Sequence, residues 1–252
     1  MKYLKVEDLC VSYPNNGVAE KLVLKNINFS LKNSEFIAVI GLSGVGKTTL
    51  LHSIMGLLKP QRGRLLVGKV KGNPAKISVV FQDPLLLPWR NVVQNISFGL
   101  EISGYPKGKI PNKVQPLIDL VKLSGYEAYY PDALSGGMKQ RTNLARALAV
   151  DPDILLLDEP FSHLDALTRE HMQMEILEIF GKTKKSFIFV THLIDEAVFL
   201  ADKVIVLGGK PARIKKIVEI HFKRPRNLSL KGAKAFTLLK KKLHNLLENE
   251  TV

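Results

Sequence analysis

The chain has 252 residues, of which 46% are hydrophobic, so it is long enough to form one large domain with a sizeable core. Its single cysteine excludes an internal disulfide and a cysteine-rich zinc site, and the lack of any run of about 18 apolar residues argues against a membrane span. The formal net charge of +14 favours anionic partners such as nucleic acid, anionic lipid or phosphate-bearing ligands.

The N-terminal region is predicted to form two strands. The opening, MKYLKVEDLC, has scattered charges and lacks the apolar core of a secretory signal, so we expect a cytosolic protein. Residues 3–13 and 22–32 alternate in the manner of strands. The sequence NNG at 15–17 has turn chemistry and predicts a turn between them.

A glycine-rich loop follows the next strand. Residues 35–41 form an apolar run that ends in glycine, and residues 48–58 have helical spacing. Between them, GLSGVGKT satisfies the pattern G-x-x-x-x-G-K-[ST]. Glycines let backbone N–H groups turn toward phosphates, and the helix that begins here adds its N–H groups and dipole. We therefore predict a nucleotide site contacted by Gly41, Ser43, Gly44, Gly46, Lys47, Thr48 and Thr49.

Three side chains give this site its expected chemistry. Lys47 reaches the β- and γ-phosphates as a point charge, and Thr48 offers a hydroxyl to Mg²⁺. Asp158, directly after the apolar run ILLL, is the expected second anchor of the magnesium shell. Together they predict a nucleoside-triphosphatase of the P-loop kind, without indicating what the hydrolysis drives.

The remaining elements alternate between strands and helices. Residues 77–81 are a strand candidate, and prolines and glycines then break up helical segments at 91–102 and 114–124. ILLLDEP and SFIFVTH are strands of the buried type with the helical TREHMQMEILEIFG between them. Strands separated by helices predict a mostly parallel sheet covered on both faces.

The last part of the chain is basic. Residues 203–209 and 212–220 are typical of a closing pair of strands. Residues 231–248 predict a basic amphipathic helix with an apolar side made of Phe236, Leu239, Leu243, Leu246 and Leu247. The basic charge fits either a solvated tail or a contact surface, and the sequence leaves both open.

Residues 134–141, LSGGMKQR, resemble the LSGGQ signature of the nucleotide-binding subunits of ABC transporters. The resemblance covers nearly the whole chain, because companion motifs follow in the family's order. These are the A-loop Tyr13, the Walker A loop, the Q-loop Gln82, the Walker B Asp158 with Glu159, the D-loop SHLD with Asp165, and the switch His192.

The resemblance implies a fold and a division of the chain. The expected fold is α/β, a P-loop NTPase (RecA-like) core with an N-terminal antiparallel β-subdomain and an inserted α-helical subdomain. The chain would be one nucleotide-binding domain, with residues 1–83 and 147–220 as the catalytic lobe. Residues 84–146 would form the helical signature lobe, and residues 221–252 a basic tail.

The resemblance also implies roles at an ATP and Mg²⁺ site. Tyr13 would stack on adenine, Glu159 would polarise the attacking water, and His192 would hydrogen-bond the γ-phosphate. The implied catalytic set is Glu159, His192, Lys47 and Gln82, and the implied metal set is Thr48, Gln82 and Asp158. In the family two subunits pack head to tail, so that Ser135, Gly136, Gly137 and Asp165 of one copy complete the ATP site of the other.

Two motifs depart from the family's usual pattern. The D-loop, usually SALD, has His163 in second place, which puts a titratable group near the expected dimer interface. The signature ends in methionine in place of glutamine, and it keeps the serine and both glycines.

Three functions compete on this sequence: the ATPase subunit of a membrane importer, a soluble ABC ATPase acting on nucleic acid or ribosomes, and a P-loop kinase or GTPase. LSGGMKQR argues against the third. The single cassette without a heptad run weakens the second, and we expect no nucleic-acid partner. A subunit at the cytoplasmic face of an anionic membrane is also expected to be basic.

The segment FQDPLLLPWRNVVQNISFGL resembles importers of nitrate, sulfonates and taurine, whose close relatives handle thiamine precursors. Pro84 and Pro88 interrupt helix around three leucines and Trp89, so this apolar run is expected to be shared between packing and a partner surface. The implied partners are a second copy of the chain, permease subunits contacted near Gln82–Trp89 and, indirectly, an external substrate-binding protein. The ATPase sequence carries little information on the substrate.

Overall fold

The computed structural model describes residues 2–15, 18–70 and 72–248. Its strands are β1 (Lys2–Asn15), β2 (Val18–Lys32), β3 (Phe36–Ile40), β4 (Arg62–Val67), β5 (Lys69–Val70), β6 (Asn73–Pro74), β7 (Ile77–Val80), β8 (Ile154–Asp158), β9 (Ser186–Val190), β10 (Lys203–Gly208) and β11 (Arg213–Glu219). Its helices are α1 (Lys47–Ile54), α2 (Val92–Ile102), α3 (Ile110–Leu120), α4 (Gly136–Ala149), α5 (Ala166–Thr183), α6 (Ile194–Leu200) and α7 (Lys234–Glu248). Two residues of the predicted NNG turn, Asn16 and Gly17, lie outside the described residues.

The chain divides into two compact units. Unit 1 comprises Met1–Ala75 and Lys184–Val252, and unit 2 comprises Lys76–Thr183. Unit 2 therefore includes β7, β8 and α5 as well as the helical segment between them. The lobe boundaries implied by the family resemblance stay a prediction.

Unit 1 contains an antiparallel sheet and a mostly parallel one. β1 pairs with β2 on one side and β4 on the other, both antiparallel, which forms the predicted β-subdomain. β3 lies between β10 and β9 in parallel pairing, and β11 closes this sheet antiparallel to β10 as predicted. Every residue of β3 and β9 is buried, because a strand covered on both faces has no solvent side and needs a continuous apolar run.

Helix α1 is shorter than its sequence pattern predicts. It ends at Ile54, where the backbone turns into the left-handed region at Gly56, which has φ of +78°. The N–H of Gly56 donates to the Ser53 carbonyl, and the N–H of Leu57 donates to the His52 carbonyl. This pair of bonds is the Schellman arrangement, and it satisfies the last carbonyls of the helix.

The basic C-terminal tail packs against other elements of unit 1, to which it belongs. α7 contacts α6 and β10, and its apolar side buries Phe236 and Leu243. The Arg226 guanidinium is buried and donates to the carbonyls of Phe199 and Ala201 at 2.8 and 2.9 Å. Burial lowers the pKa of Arg226 to about 10, so the side chain stays charged at neutral pH. The apolar side of the predicted amphipathic helix therefore serves packing.

Unit 2 joins one strand pair to a helical cluster. β7 and β8 pair in parallel, and α4 packs against α2, α3 and β7. Helix α2 begins with a capping box, in which Asn91 and Gln94 each accept a hydrogen bond from the other's backbone N–H. Arg141 of α4 binds the buried Glu175 of α5 through two hydrogen bonds of 2.8 and 3.0 Å.

None of the helices in the described ranges 2–15, 18–70 and 72–248 is long and apolar enough to cross a membrane.

Candidate functional site

The glycine-rich loop of unit 1 has the backbone geometry of a phosphate cradle. The loop leaves β3 at Ile40 and enters α1 at Lys47, as the strand–loop–helix pattern predicts. Gly44 and Gly46 have φ of +74° and +111°, in the left-handed region that favours glycine. A Cβ on Gly46 would also lie 2.9 Å from Leu24 Cδ2, so a larger residue would both strain the backbone and collide.

Lys47 lies along this loop. Its side chain is buried, and Nζ donates to the carbonyls of Gly41 at 3.0 Å and Leu42 at 3.3 Å. The ammonium is therefore fixed beside the N-terminus of α1, where the helix dipole also favours an anion. Thr48, the next residue, is exposed at the start of the helix. The cradle, the cation and the helix start together fit a polyphosphate.

Tyr13 reaches the same loop from β1. Its hydroxyl oxygen lies 3.4 Å from the Thr49 Oγ1 atom, close enough for a hydrogen bond in either direction. The structure thus brings the predicted A-loop tyrosine and the phosphate loop together in unit 1, although they are 36 positions apart in the chain. Adenine stacking on this ring stays a prediction.

His192 lies at the same edge of the parallel sheet. It follows β9, and β9 pairs with β3 through Val39 and Val190, so the carboxyl ends of these strands meet at one edge. The preceding Thr191 is buried and donates from Oγ1 to Glu196 Oε2 at 2.5 Å, while the Leu193 N–H donates to Thr191 Oγ1. His192 is exposed on this fixed turn. In α/β sheets ligands bind at the carboxyl ends of the strands, which is where these groups lie.

Unit 2 holds the predicted metal ligand Asp158 and the predicted catalytic residue Glu159 next to each other in sequence. Asp158 ends β8 and is buried, while Glu159 is half-buried with a left-handed φ of +43°. Because β8 is a buried strand, its carboxyl end fixes the Asp158 backbone, and the unusual conformation at Glu159 turns the chain sharply into the next loop. Asp158 is buried and Glu159 is half-buried, so the two carboxylates have different surroundings and suit different roles.

The signature serine caps helix α4 in unit 2. Ser135 is the N-cap, and its Oγ accepts a hydrogen bond from the Met138 N–H at 3.3 Å. A Cβ on Gly137 would lie 3.1 Å from Thr168 Cγ2, so the first turn of α4 packs closely on the start of α5. Ser135 and Gly136 remain exposed. An exposed helix N-terminus with small residues gives an anion free access to its N–H groups.

Asp165 lies beside this helix start. Its Oδ1 accepts a hydrogen bond from the Thr168 N–H at 3.0 Å. Hydrogen bonds from the side chain and the backbone of Thr168 lower the pKa of the Asp165 carboxyl below its ordinary value. The predicted D-loop aspartate and signature are thus neighbours of the same residue, Thr168, within unit 2.

The loop that begins at Gln82 is fixed by polar side chains that the sequence analysis did not single out. The Phe81 carbonyl accepts hydrogen bonds from Asn143 and Gln140 of α4. Arg146 of the same helix donates to the Pro84 carbonyl at 2.6 Å and the Leu85 carbonyl at 2.8 Å. Burial lowers the pKa of Arg146. One signal was available, because polar residues on the buried side of an amphipathic helix need partners.

The second half of this loop rests on helix α2. Asn95, fully buried, accepts from the Leu87 N–H at 2.8 Å and donates to the carbonyls of Leu87 and Arg90. The apolar run faces outward on either side of this anchor: Leu85 is 62% exposed and Trp89 is 71% exposed. Leu85 also has a left-handed φ of +46°. The run is therefore a surface supported from below by hydrogen bonds.

The predicted metal ligands have the chemistry that Mg²⁺ requires. They are the hydroxyl of Thr48 in unit 1, and the amide of Gln82 and the carboxylate of Asp158 in unit 2, all hard oxygen donors. Within the described residues no three His, Cys, Asp or Glu side chains form a cluster that could hold a metal ion.

Comparison with known proteins identifies the family. The sequence profile of the ABC transporter family matches residues 24–162. An uncharacterized ABC transporter ATP-binding protein of Methanocaldococcus jannaschii is 48% identical over 251 residues, covering 99% of this chain and 92% of that protein. The taurine import ATP-binding protein TauB of Pseudomonas putida is 43% identical over 224 residues, covering 88% of this chain and 84% of that protein.

A solved structure matches the fold over most of the chain. It is a dimeric ATP-binding cassette in a post-hydrolysis state with ADP and Pi bound, and it superposes with a TM-score of 0.74 at 28% sequence identity. The match covers 87% of this chain and all of that one. The mixed α/β fold and its antiparallel β-subdomain, both expected from the sequence, are therefore confirmed.

Proposed function

Because this chain belongs to the ABC transporter family of ATP-binding proteins, we propose that it is the ATP-hydrolysing subunit of a membrane importer for a small compound. The observation that carries the proposal is the loop of unit 1, in which buried Lys47 lies along a glycine-shaped cradle at the start of α1. Such a loop is built for the phosphates of a nucleotide, and the matched dimeric cassette was solved with ADP and Pi.

ATP binds first through groups of unit 1. The N–H groups of the loop and of the α1 start receive the phosphates, and Lys47 offsets charge on the β- and γ-phosphates. The Tyr13 ring, tied to Thr49 near the loop, provides a flat surface for adenine. His192, exposed at the same sheet edge, hydrogen-bonds the γ-phosphate and distinguishes ATP from ADP.

Hydrolysis needs groups that orient water and offset the charge of the transition state. Glu159 accepts a hydrogen bond from the attacking water and polarises it. Thr48, Gln82 and Asp158 would hold Mg²⁺, which when bound offsets charge on the phosphate oxygens. The transition state spreads charge over the γ-oxygens, so these positioned cations and donors supply most of the rate.

The exposed signature supports a dimer as the active form. Ser135 and Gly136 are exposed at the N-terminus of α4, where the N–H groups of the helix are open to an anion. We propose that they bind the γ-phosphate held by a second copy of the chain in a head-to-tail dimer, with Asp165 at the same interface. The dimeric state of the matched cassette supports this arrangement.

The exposed apolar run supports a permease contact. Leu85 and Trp89 lie on the same loop as Gln82, and their backbone is anchored to α4 and α2. A fixed loop with an exposed tryptophan is typical of protein interfaces, where Trp is enriched among the residues that dominate binding. A permease seated here would respond to any movement of Gln82. The subunit would then work at the cytoplasmic face of the membrane.

The substrate class follows from the relatives. The taurine import protein at 43% identity favours taurine or a related sulfonate over nitrate or a thiamine precursor. An external binding protein and the permease would select the substrate, so this chain would serve any of these classes with the same chemistry.

One variant tests the hydrolytic roles. Glu159→Gln keeps the size of the side chain and loses the charge that polarises water. We expect it to bind ATP, to hydrolyse it at least about a hundredfold more slowly, and to accumulate as an ATP-bound dimer in light scattering. Glu170→Gln, on α5, is the matched control and should hydrolyse ATP at the normal rate and dimerise only transiently. Near-normal turnover by Glu159→Gln would overturn the assignment.

A further inference from the structure

The D-loop histidine lies against the Q-loop side chain. His163 Nε2 is 3.4 Å from Gln82 Nε2 and 3.3 Å from Asp83 Oδ1. The imidazole is 61% exposed, so apolar packing does not account for the position of the His163 side chain. The family pattern usually has alanine at this position, whose methyl group is too short to reach the glutamine. This contact between the two loops is therefore a property of this sequence.

The histidine has a fixed backbone. The turn that contains it is closed by the Leu164 N–H, which donates to the Phe161 carbonyl at 3.2 Å. Arg169 of α5 then donates to both of these residues' carbonyls, to Leu164 at 2.8 Å and to Phe161 at 3.4 Å. Since the backbone on both sides is hydrogen-bonded to α5, the position of the imidazole is restricted.

The backbone just before Gln82 is held by hydrogen bonds, whereas the Gln82 side chain is exposed. The preceding carbonyl, that of Phe81, is bound by α4, while the Gln82 side chain itself is exposed. An exposed glutamine has several rotamers of similar energy, and holding one of them costs side-chain entropy. The His163 contact selects among these rotamers.

The tautomer of the imidazole decides which end of the Gln82 carboxamide it engages. An imidazole Nε2 with a lone pair accepts from the Gln82 amide N–H₂ group, and the carboxamide oxygen is then left for other partners. Oxygen is the end that a hard cation such as Mg²⁺ binds. Asp83 competes for the same nitrogen, because an Nε2–H group would donate to its carboxylate.

We propose that His163 is a positioning residue for Gln82. It holds the amide nitrogen so that the carboxamide oxygen is presented to the magnesium ion of bound ATP, and it links the D-loop to the Q-loop in unit 2. This inference rests on the proposed ATPase function, in which Gln82 is a metal ligand.

The test compares four proteins: the natural chain, His163→Ala, His163→Gln and Asp83→Asn. Each is heated with ATP at a fixed concentration and increasing MgCl₂, and the rise in melting temperature gives the Mg²⁺ concentration at half effect. The kcat and KM for ATP are measured in parallel. His163→Gln is the conservative variant, since its Oε1 can also accept from an amide N–H.

We expect His163→Ala to raise the half-effect Mg²⁺ concentration about three- to tenfold, the factor for one lost hydrogen bond. Its kcat should fall by a similar factor, with the KM for ATP changed less than about twofold, because metal-free nucleotide contacts remain. His163→Gln should restore both values to within about twofold, and Asp83→Asn should leave the metal response within about twofold of natural.

Three results would overturn the inference. His163→Ala could match the natural chain in Mg²⁺ response, or His163→Gln could be as impaired as His163→Ala, which would indicate a role other than hydrogen bonding. In both cases the natural chain still responds to ATP and Mg²⁺, so the proposed function stands. If the natural chain shows no response to ATP and Mg²⁺ at all, the proposed function fails and this inference fails with it.

Discussion

The two units of this protein differ sharply in charge. Unit 1 contains 26 of the 37 lysine and arginine residues but only 10 of the 23 acidic residues, which is a surplus of 16 positive charges. Unit 2 has 11 basic and 13 acidic residues and is close to neutral. Both units bury apolar strands and helices, so they differ in charge while having the same kind of core.

The exposed surfaces of the two units also differ. Unit 1 has the phosphate loop with its buried lysine, and its excess charge suits polyphosphate ligands. Unit 2 carries the most exposed aromatic side chain of the described residues, Trp89, on a loop with Leu85. We therefore expect ATP to make its first contacts in unit 1 and the permease to contact unit 2, each at a region with its own local support.

Of the substitutions in the two units, one in unit 1 should reduce ATP hydrolysis the most. Lys47→Ala removes the buried cation that lies along the phosphate cradle, and we expect ATP hydrolysis to fall by about a hundredfold or more. The steady-state ATPase rate measures this, with melting temperature as a check on folding. Lys59→Ala, which removes an exposed lysine of the same unit, is the matched control and should keep the natural rate. A Lys47→Ala rate above a tenth of natural would break the assignment.

A smaller effect is expected on the unit 2 side. Trp89→Ala should weaken binding of the permease about tenfold, the loss typical of a buried interface tryptophan, and should leave the basal ATPase rate within about twofold. Co-purification and the permease-stimulated rate measure this. Leu238→Ala, which truncates an exposed apolar residue of unit 1, should change neither. Unfolding of Trp89→Ala would instead make the segment part of the core.

Much of this arrangement could be predicted from the sequence because it depends on local patterns. The apolar run before Gly41 predicted β3, and the glycine pattern predicted the loop between β3 and α1. Each of these signals lies within a few residues of the element that it specifies. The early end of α1 escaped prediction because it depends on a left-handed glycine that the apolar spacing does not register.

The contacts that were not predicted connect distant positions. Arg146 binds carbonyls 61 and 62 residues away, and the His163 contact with Gln82 spans 81 residues. His163 is visible in the sequence as a departure from the family pattern, but its partner depends on how two loops of unit 2 are placed. Likewise the basic tail gave no hint that Arg226 is buried against carbonyls at the C-terminal end of α6.

The central claim is that this ATPase drives a membrane importer, and reconstitution tests it most directly. The chain is purified with whatever membrane protein accompanies it, placed in liposomes, and its ATPase rate is measured with and without an external binding protein loaded with taurine. We predict co-purification with a multi-span permease and a rate that rises several-fold with the loaded binding protein. A chain that purifies without a membrane partner, and whose ATPase rate rises with DNA or ribosomes, would contradict the account.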